Sequence, residues 1–540
     1  MEEQLPLVSN VDTDAIVRGG AIAVDSPRAI GLYIQIATVG FLFGLIPALN
    51  YPLFNVYLQM EGYQTASYAM LVNLGWSLKV VFGMLSDCIP IGGYRRKSWM
   101  LIGWAIAFVG LVAMAILPLG APYCDRARTT YCHTPYASVP LSDRRFFNVD
   151  APNQGSSFIL LSMIVSMGYV IAGSAADALI VELSQREPMA TRGRLQTICT
   201  ACRSLGGMPA LLIPAFGLNG IQYNGSFSFA LSPNMPYALS LVPCVVAAIA
   251  VVLLVQEPAT SSSPGVRAWG TAFWALIQRR ELYQICAVKF AFMFFRCFET
   301  TALGPIQANW VHMEPLTLSL ATLASNTVYA ITLAFVYKHG LQWDWRWAMA
   351  LSLVAANLLD AAVVFPTTWA RIRNQWFFAG GTILEWIPIG VTQLVGTLCV
   401  IEIIQPGTEG TIYGLVMSVT NLGQPLAAIA YKYVDSFIDV SQDAIKRDST
   451  IDRYHVTTVY VISYTVKMLA LVSLLWLPAQ KAQVQAMQRQ NKSSPVAGGL
   501  LLGLFVVGIA LSVTSNVLSI FPSTKCYRLA GGNGANGKCP

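Results

Sequence analysis

Residues 73–100 read NLGWSLKVVFGMLSDCIPIGGYRRKSWM, an apolar stretch with one lysine that ends in the pattern Gly83-x-x-x-Asp87. The turn that follows carries helix breakers and then three cations: Pro90, Gly92, Gly93, Arg95, Arg96 and Lys97. Another apolar run begins directly after it. Two apolar helices joined by a short basic turn are typical of a hairpin that crosses a membrane twice. A soluble protein has little use for this arrangement.

The composition places the whole chain in the membrane class. Of its 540 residues, 55% are hydrophobic and only 11% are charged, whereas soluble domains carry roughly 25% charged residues. The mean hydropathy is +0.55. The formal net charge of +7 would suggest a nucleic-acid partner in a soluble protein. Here lysine and arginine orient the loops instead, so we expect the lipid bilayer and no nucleic acid as a partner.

Apolar runs of about 20 residues, enough to span a bilayer, recur along the chain. They predict an all-α integral membrane protein with twelve core helices in two six-helix halves. The predicted spans are 30–50, 66–86, 98–118, 156–181, 195–217, 236–255, 283–303, 318–337, 347–366, 376–400, 411–431 and 456–477. A further run at 496–520 predicts a thirteenth helix, with an interfacial or folded-back helix as the alternative.

The domain organisation follows from these runs and from the basic loops. The predicted segments are a polar cytoplasmic tail at 1–29, the first half at 30–256, a cytoplasmic linker at 257–282, the second half at 283–480, and a C-terminal connection, thirteenth helix and tail at 481–540. Cytoplasmic loops are enriched in Lys and Arg, which places the N-terminus and the 95–97 turn inside. Arg371 and Arg373 go against this orientation. No cleavable signal peptide is visible.

The sequence predicts disulfides and a glycosylation site in the outer loops and the tail, if these segments face an oxidising compartment. Cys124 and Cys132 share one hydrophilic loop, and Cys526 and Cys539 share the tail. Each pair is a candidate disulfide. Asn224, in an outer Asn-Gly-Ser sequence, is a candidate glycosylation site.

Charged residues at membrane depth are costly and therefore indicate function. The main candidates for a substrate or proton pathway are Trp76, Lys79, Asp177, Arg203, Lys289, Arg296 and Glu299. Lys289 and Arg296 share one helical face and suit an anionic substrate, although Arg296 and Glu299 could simply pair with each other. Asp177 could carry a proton or form a static salt bridge to Arg203 or Lys79. Trp76 could flank a flat ring or pack in the core.

Chemical catalysis finds no support in the sequence. The four histidines lie in or near loops, and no nucleophile triad, phosphate-binding glycine loop or zinc spacing is visible. We therefore expect no enzymatic activity, no metal and no cofactor.

The opening stretch resembles the major facilitator signature and, more narrowly, the folate–biopterin transporter family. The residues that carry the second resemblance are Trp76, Lys79, Gly83, Ser86, Asp87, Pro90, Gly93, Tyr94, Arg95 and Arg96. Blocks at 177–203 and 409–423 resemble two further blocks of that family. The resemblance implies a major-facilitator-like fold and proton-coupled uptake of pterins or folates, with plasma membrane as the default location. The alternatives are a carrier for another small organic metabolite, nucleoside-like or amino-acid-derived, and a non-transporting receptor or scaffold.

Topology assigns the opening stretch a role as a gate. Carriers bind their ligands near the bilayer midplane, and the basic turn lies at the cytoplasmic face. We therefore expect a cytoplasmic gate rather than a substrate site there, with Arg194 as one candidate partner of Asp87. The gate residues are Gly83, Asp87, Arg95, Arg96 and Arg194.

Overall fold

The computed structural model describes residues 20–188, 194–257, 265–340, 342–403, 409–490 and 492–532. Within these ranges the chain is helices and connecting segments, with no β-strand. Helices satisfy their own backbone hydrogen bonds, which a bilayer interior demands.

Thirteen long helices follow one another along the chain, and we number them in that order. They are α1 Pro27–Ala48, α2 Gly62–Cys88, α3 Lys97–Ile116, α4 Ser156–Ser184, α5 Arg194–Leu212, α6 Met235–Leu253, α7 Arg280–Arg296, α8 Pro315–His339, α9 Trp345–Thr368, α10 Gln375–Ile403, α11 Glu409–Asp435, α12 Thr450–Met468 and α13 Pro495–Ile520. In the described part of the chain, twelve of these segments, all except α7, are long and apolar enough to cross a membrane. α2 is interrupted at Leu78, directly before Lys79.

The seventh predicted span, 283–303, is wrong as a continuous helix. α7 has 17 residues and stops at Arg296, and a separate short helix follows. In the break, Thr300 Oγ1, Thr301 N and Thr301 Oγ1 all donate to Asp435 Oδ2 at the end of α11, over 3.0, 2.7 and 2.9 Å. Non-helical backbone is tolerated at membrane depth only where such a partner satisfies it.

The helices pack in two groups. Within the first, the most extensive contacts are α1 with α5 and α3 with α4; within the second, they are α8 with α10, α9 with α10 and α7 with α11. We call α1–α6 the N-half and α7–α12 the C-half. α13 lies against α2 and α11, one helix from each half. It begins beside the linker helix, where Ser494 N donates to Gln278 O, and therefore starts at the end that carries the basic turn.

The two halves meet at the end opposite the basic turn, along a contact that we call the outer seam. Gln442 Nε2 donates to Asn55 Oδ1 over 3.1 Å, and Lys446 Nζ donates to Gln59 Oε1 over 2.7 Å. Further bonds across the seam join Glu314 to Asn219 and Ser226, and Tyr51 to Met313. Every ion pair among the described residues lies within one half. Among these residues the two halves are therefore joined at the seam by hydrogen bonds rather than by ion pairs.

Gly62 of the N-half lies against the backbone of the C-half, so we expect its replacement by alanine to weaken the seam. A Cβ atom there would lie 1.9 Å from the carbonyl oxygen of Thr301, in the α7 break. Overpacking of this kind costs about 1–3 kcal/mol, which predicts a fall in melting temperature of about 2–6 °C. The matched control is Gly380→Ala, because a Cβ on Gly380 meets nothing within 4 Å. Equal melting temperatures for the two variants would contradict the close contact.

The outer seam also holds a histidine pair. His133 of the N-half and His312 of the C-half have ring centroids 4.7 Å apart. Burial, Arg126, His312 and Lys446 lower the pKa of His133 from 6.5 to about 4. Burial, Arg126 and Arg373 also lower the pKa of His312. Both rings are therefore neutral in the closed seam at neutral pH.

Acid on the seam side should loosen this contact. An exposed histidine has a pKa of about 6.5, so protonation favours the separated state, in which the rings are solvated. The closed seam is then fully favoured above about pH 6.5 and weakens as the pH falls toward about 4. We expect the distance between spin labels at the exposed positions Ile221 and Ile451 to show a severalfold larger open population at pH 5 than at pH 7. In His133→Gln the pH response should shrink; an unchanged response would exclude this pair.

The loop at 119–155 lies over the seam. Cys124 and Cys132 are bonded to each other within it. Cys539 lies outside the described residues, so its pairing with Cys526 stays a prediction. Asn224 lies in a neighbouring turn with its Nδ2 atom buried, and that burial counts against glycosylation in this conformation.

Candidate functional site

A cavity of about 480 Å³ runs between the two halves from the basic end toward the middle of the helices. Its wall is formed mainly by α2, α4 and α5 of the N-half. Tyr413 and Gly414 of α11 and Trp269 of the linker helix Val266–Ile277 complete it. The volume falls in the range of about 300–1,000 Å³ that is usual for small-molecule sites.

Three predicted residues form one charge cluster on this wall. Lys79 Nζ donates to Asp177 Oδ2 over 2.6 Å, and Arg203 Nη2 donates to Asp177 Oδ1 over 2.8 Å. Each residue comes from a different helix, α2, α4 and α5. Two cations on one carboxylate give the cluster a formal charge of +1. Both carboxylate oxygens of Asp177 therefore accept a hydrogen bond from a cation.

The packing of α1 against α5 fixes the position of Arg203. A Cβ on Gly40 of α1 would lie 2.0 Å from the Arg203 carbonyl oxygen, so only glycine permits this approach. The guanidinium of Arg203 then lies 5.7 Å from the centre of the Trp76 ring, as does the ammonium of Lys79. Trp76 also makes an edge contact with Phe43 and does not line the cavity. Its observed role is therefore to hold the two cations by cation–π contacts.

The predicted residues of α7 do not join this cluster. Lys289 Nζ donates to the backbone oxygen of Gly396 over 3.2 Å, inside the C-half. The alternative reading, in which Arg296 pairs with Glu299, is not seen: no ion pair links them in the described part of the chain. The i, i+3 spacing brings side chains together only on a continuous helix, and α7 ends at Arg296.

A second charge cluster lies at the basic end of the cavity. Arg96, whose side chain is only 5% exposed, donates to Asp87 over 2.5 Å and to Glu182 over 2.8 Å. Arg95 reaches Glu182 over 3.2 Å. The structure thus pairs Asp87 with Arg96, and the side chain of Arg194 is exposed. The predicted gate residues Asp87 and Arg96 lie together in one half.

The carboxylate of Glu257 holds the start of α3. It accepts hydrogen bonds from the backbone N–H groups of Arg95, Arg96 and Lys97. A carboxylate at a helix N-terminus satisfies free N–H groups and complements the helix dipole. Because Glu257 follows α6, this bond ties the basic turn to the last helix of the N-half.

Sequence reasoning missed several residues that the structure brings to the site: Tyr413, Gly414, Trp269 and Glu257. Tyr413 and Gly414 fall in the 409–423 block that carried part of the family resemblance, and that signal could have found them. Trp269 and Glu257 lie in the linker region, where the sequence gives no indication of which helix they face. Within the described ranges no cluster of metal-ligating side chains occurs.

The sequence is similar to one family model and to proteins named as transporters. A model of the BT1 family matches residues 40–130. The folate-biopterin transporter of Synechocystis sp. is 23% identical over 380 residues, covering 68% of this chain and 67% of that protein. The probable folate-biopterin transporter 4 of Arabidopsis thaliana is 23% identical over 192 residues, covering 35% of this chain and 30% of that protein.

Comparisons with solved structures concern the fold alone. A D-xylose-proton symporter aligns with a TM-score of 0.56 at 11% identity, over 84% of this chain and 99% of that chain. A peptide transporter in complex with sulfate aligns with a TM-score of 0.55 at 12% identity, over 89% and 99%. Both have the fold of the major facilitator superfamily. With the family match and the similar transporters, this shows that the chain is a multi-pass membrane transporter of the major facilitator fold that resembles the folate–biopterin transporter family.

Proposed function

We propose that this chain is a secondary active carrier that takes up a folate or a related pterin by alternating access, together with protons. The observation that carries the proposal is the Lys79–Asp177–Arg203 cluster on the wall of a cavity between the two halves. The similar proteins from Synechocystis and Arabidopsis, named as folate-biopterin transporters, support the substrate class.

The cavity suits a flat, anionic solute. Arg203 offers a planar guanidinium that recognises a carboxylate with two parallel hydrogen bonds, and Lys79 adds a second cation. Tyr413 of α11 and Trp269 of the linker helix add aromatic side chains to the lining. A substrate carboxylate would therefore compete with Asp177 for Arg203, and the pteridine ring would pack against the aromatic side chains.

This competition supplies a route to proton coupling. In this conformation Asp177 accepts hydrogen bonds from two cations, Lys79 and Arg203. When a substrate anion takes over Arg203, one of these donors is lost, and a carboxylate with fewer cationic partners accepts a proton more readily. Anion and proton binding would then be linked, and the two would cross the membrane together.

The loop charges give the orientation of the protein in the proposed cycle. The basic turn is predicted to face the cytoplasm, so the observed cavity corresponds to an inward-open state and the closed seam to the outer gate. Uptake across the plasma membrane is the proposed setting.

Uptake into proteoliposomes tests this function. Purified protein would be given labelled folate, biopterin and a labelled nucleoside, with and without an inward proton gradient. We expect accumulation of folate or biopterin that a gradient increases and an ionophore abolishes. Uptake of the nucleoside alone would favour a carrier of the same fold for another metabolite. Uptake of none of the three, by protein shown to be folded and inserted, would overturn the substrate assignment.

A further inference from the structure

The chain continues beyond the twelve core helices into a segment that touches both halves. We call residues 495–532, which comprise α13 and the turns after it, the strap. α13 carries no charged residue and packs along the boundary between α2 and α11. Its last turn and the residues after it lie beside the outer seam. The strap is therefore placed where the halves must separate if the protein is to open outward.

The strongest attachment is a lysine buried in the boundary. Lys432 of α11 is fully buried. Its ammonium donates to Ser67 Oγ of α2 over 2.9 Å, to Asn516 Oδ1 over 2.9 Å and to Ser519 Oγ over 3.1 Å, the last two on α13. All three ammonium hydrogens are thus used, by oxygens from the N-half and from the strap. A buried charge is costly unless it is fully hydrogen-bonded, so separation of α2 from α11 removes one of the bonds that make this burial tolerable.

Other contacts attach the strap to the N-half. Ser156 Oγ at the start of α4 donates to the backbone oxygen of Ile520. Lys525 Nζ donates to Asn153 Oδ1 over 2.6 Å. Gly531 lies against the side chain of Tyr63, in the first turn of α2. These contacts all lie at the seam end of the N-half.

A separate contact attaches the strap to the C-half. The guanidinium of Arg528 lies 4.1 Å from the centre of the Phe437 ring, just after α11. Together with Lys432, it fixes the same segment to the helix that must move away from α2. One continuous piece of chain therefore bridges the outer ends of both halves.

We propose that the strap is an internal lock on the inward-open state, which restrains outward opening through the Lys432 hydrogen bonds and its attachments to both halves. This inference rests on the proposed alternating-access cycle. It gives the C-terminal segment a function beyond anchoring: the strength of its contacts sets how often the outer seam opens. Weakening a single cross-boundary bond should then shift the protein toward the outward-open state.

The test is a matched pair of serine substitutions in the full-length protein. Ser67→Ala removes a bond to the buried ammonium across the two halves. Ser463→Ala removes an equally buried serine bond, to the backbone oxygen of Phe298, that stays inside the C-half. The readout is the distance distribution between spin labels at Ile221 and Ile451, without substrate. A bond to a charged group is strong enough that we expect about a tenfold rise in the open-to-closed ratio for Ser67→Ala and none for Ser463→Ala.

A second variant keeps the test independent of the buried core. Lys525→Met cuts the attachment to Asn153 without touching Lys432, and we expect a smaller rise of the same kind. Ser67→Ala cuts a bond that α2 makes directly with α11, so an unchanged distribution in Lys525→Met would overturn the strap as the lock. The distance measurement needs no substrate. A shift in the distances together with no folate uptake in the proteoliposome assay would therefore refute the substrate assignment and leave the lock standing.

Discussion

Replacement of Asp177 by asparagine should abolish the response of uptake to a proton gradient. Asparagine cannot bind a proton, and it leaves Lys79 and Arg203 without their shared counter-charge. A hydrogen bond to a charged group is worth about 1.5–3 kcal/mol, and about 1.4 kcal/mol is a factor of ten. We therefore expect gradient-driven uptake to fall at least about tenfold, whereas exchange of substrate across the membrane without a gradient persists.

The control for this prediction is Asp177→Glu, which keeps an ionisable carboxyl at the same position. Uptake by the glutamate variant should still respond to the gradient. If the gradient drives the asparagine variant as strongly as the wild type, the coupling proton binds elsewhere. The next candidate would be Asp360 of α9, whose carboxylate accepts a hydrogen bond from Tyr464 over 3.0 Å.

Replacement of Arg96 by glutamine should destabilise the protein more than any other change at the basic end. The guanidinium neutralises two carboxylates, Asp87 and Glu182, and is itself 5% exposed. Its loss removes the ion pair of Asp87 and leaves Glu182 paired with Arg95. Breaking a buried pair costs about 3–5 kcal/mol; because the carboxylates are 32% and 34% exposed, we expect about 2–3 kcal/mol. Thermal unfolding of the purified protein measures this loss.

Variants at two nearby residues serve as controls for Arg96→Gln. Arg95→Gln removes a single bond of a half-exposed arginine, so the melting temperature should change little. Asp87→Asn leaves Arg96 paired with Glu182; we expect slower turnover with substrate affinity nearly unchanged, as for a gate. A selective loss of affinity in Asp87→Asn would argue for a substrate site instead, and equal destabilisation by Arg95→Gln and Arg96→Gln would contradict the central position of Arg96.

The sequence identified candidate functional residues best where a residue type is energetically costly at its predicted position. Lys79, Asp177 and Arg203 could be found because charge at membrane depth is expensive, so each one needs a reason. The sequence offered Arg203 or Lys79 as an alternative partner of Asp177 but did not indicate that both meet it, because nothing in a single chain fixes how α2, α4 and α5 rotate about their axes.

Other features depended on tertiary contacts that no local pattern encodes. The break after Arg296 exists because Asp435, more than 130 residues away, accepts its free donors. Periodicity alone favours one continuous helix there. Likewise, the apolar run at 496–520 predicted a membrane helix, but not its position between the two halves. By sequence, Lys432 is an ordinary lysine near the end of a helix. Only the structure shows that its ammonium is bonded to Ser67 and Asn516.

We propose that the cation-rich cavity binds the substrate anion, and equilibrium binding of folate to the purified protein measures this step by itself. Arg203→Gln leaves Asp177 paired with Lys79, so the fold should persist. The matched control is Arg371→Gln, an exposed arginine near the opposite end. We expect the dissociation constant for folate to rise at least about tenfold in Arg203→Gln and to stay unchanged in Arg371→Gln. Wild-type affinity in a folded Arg203→Gln protein would contradict it.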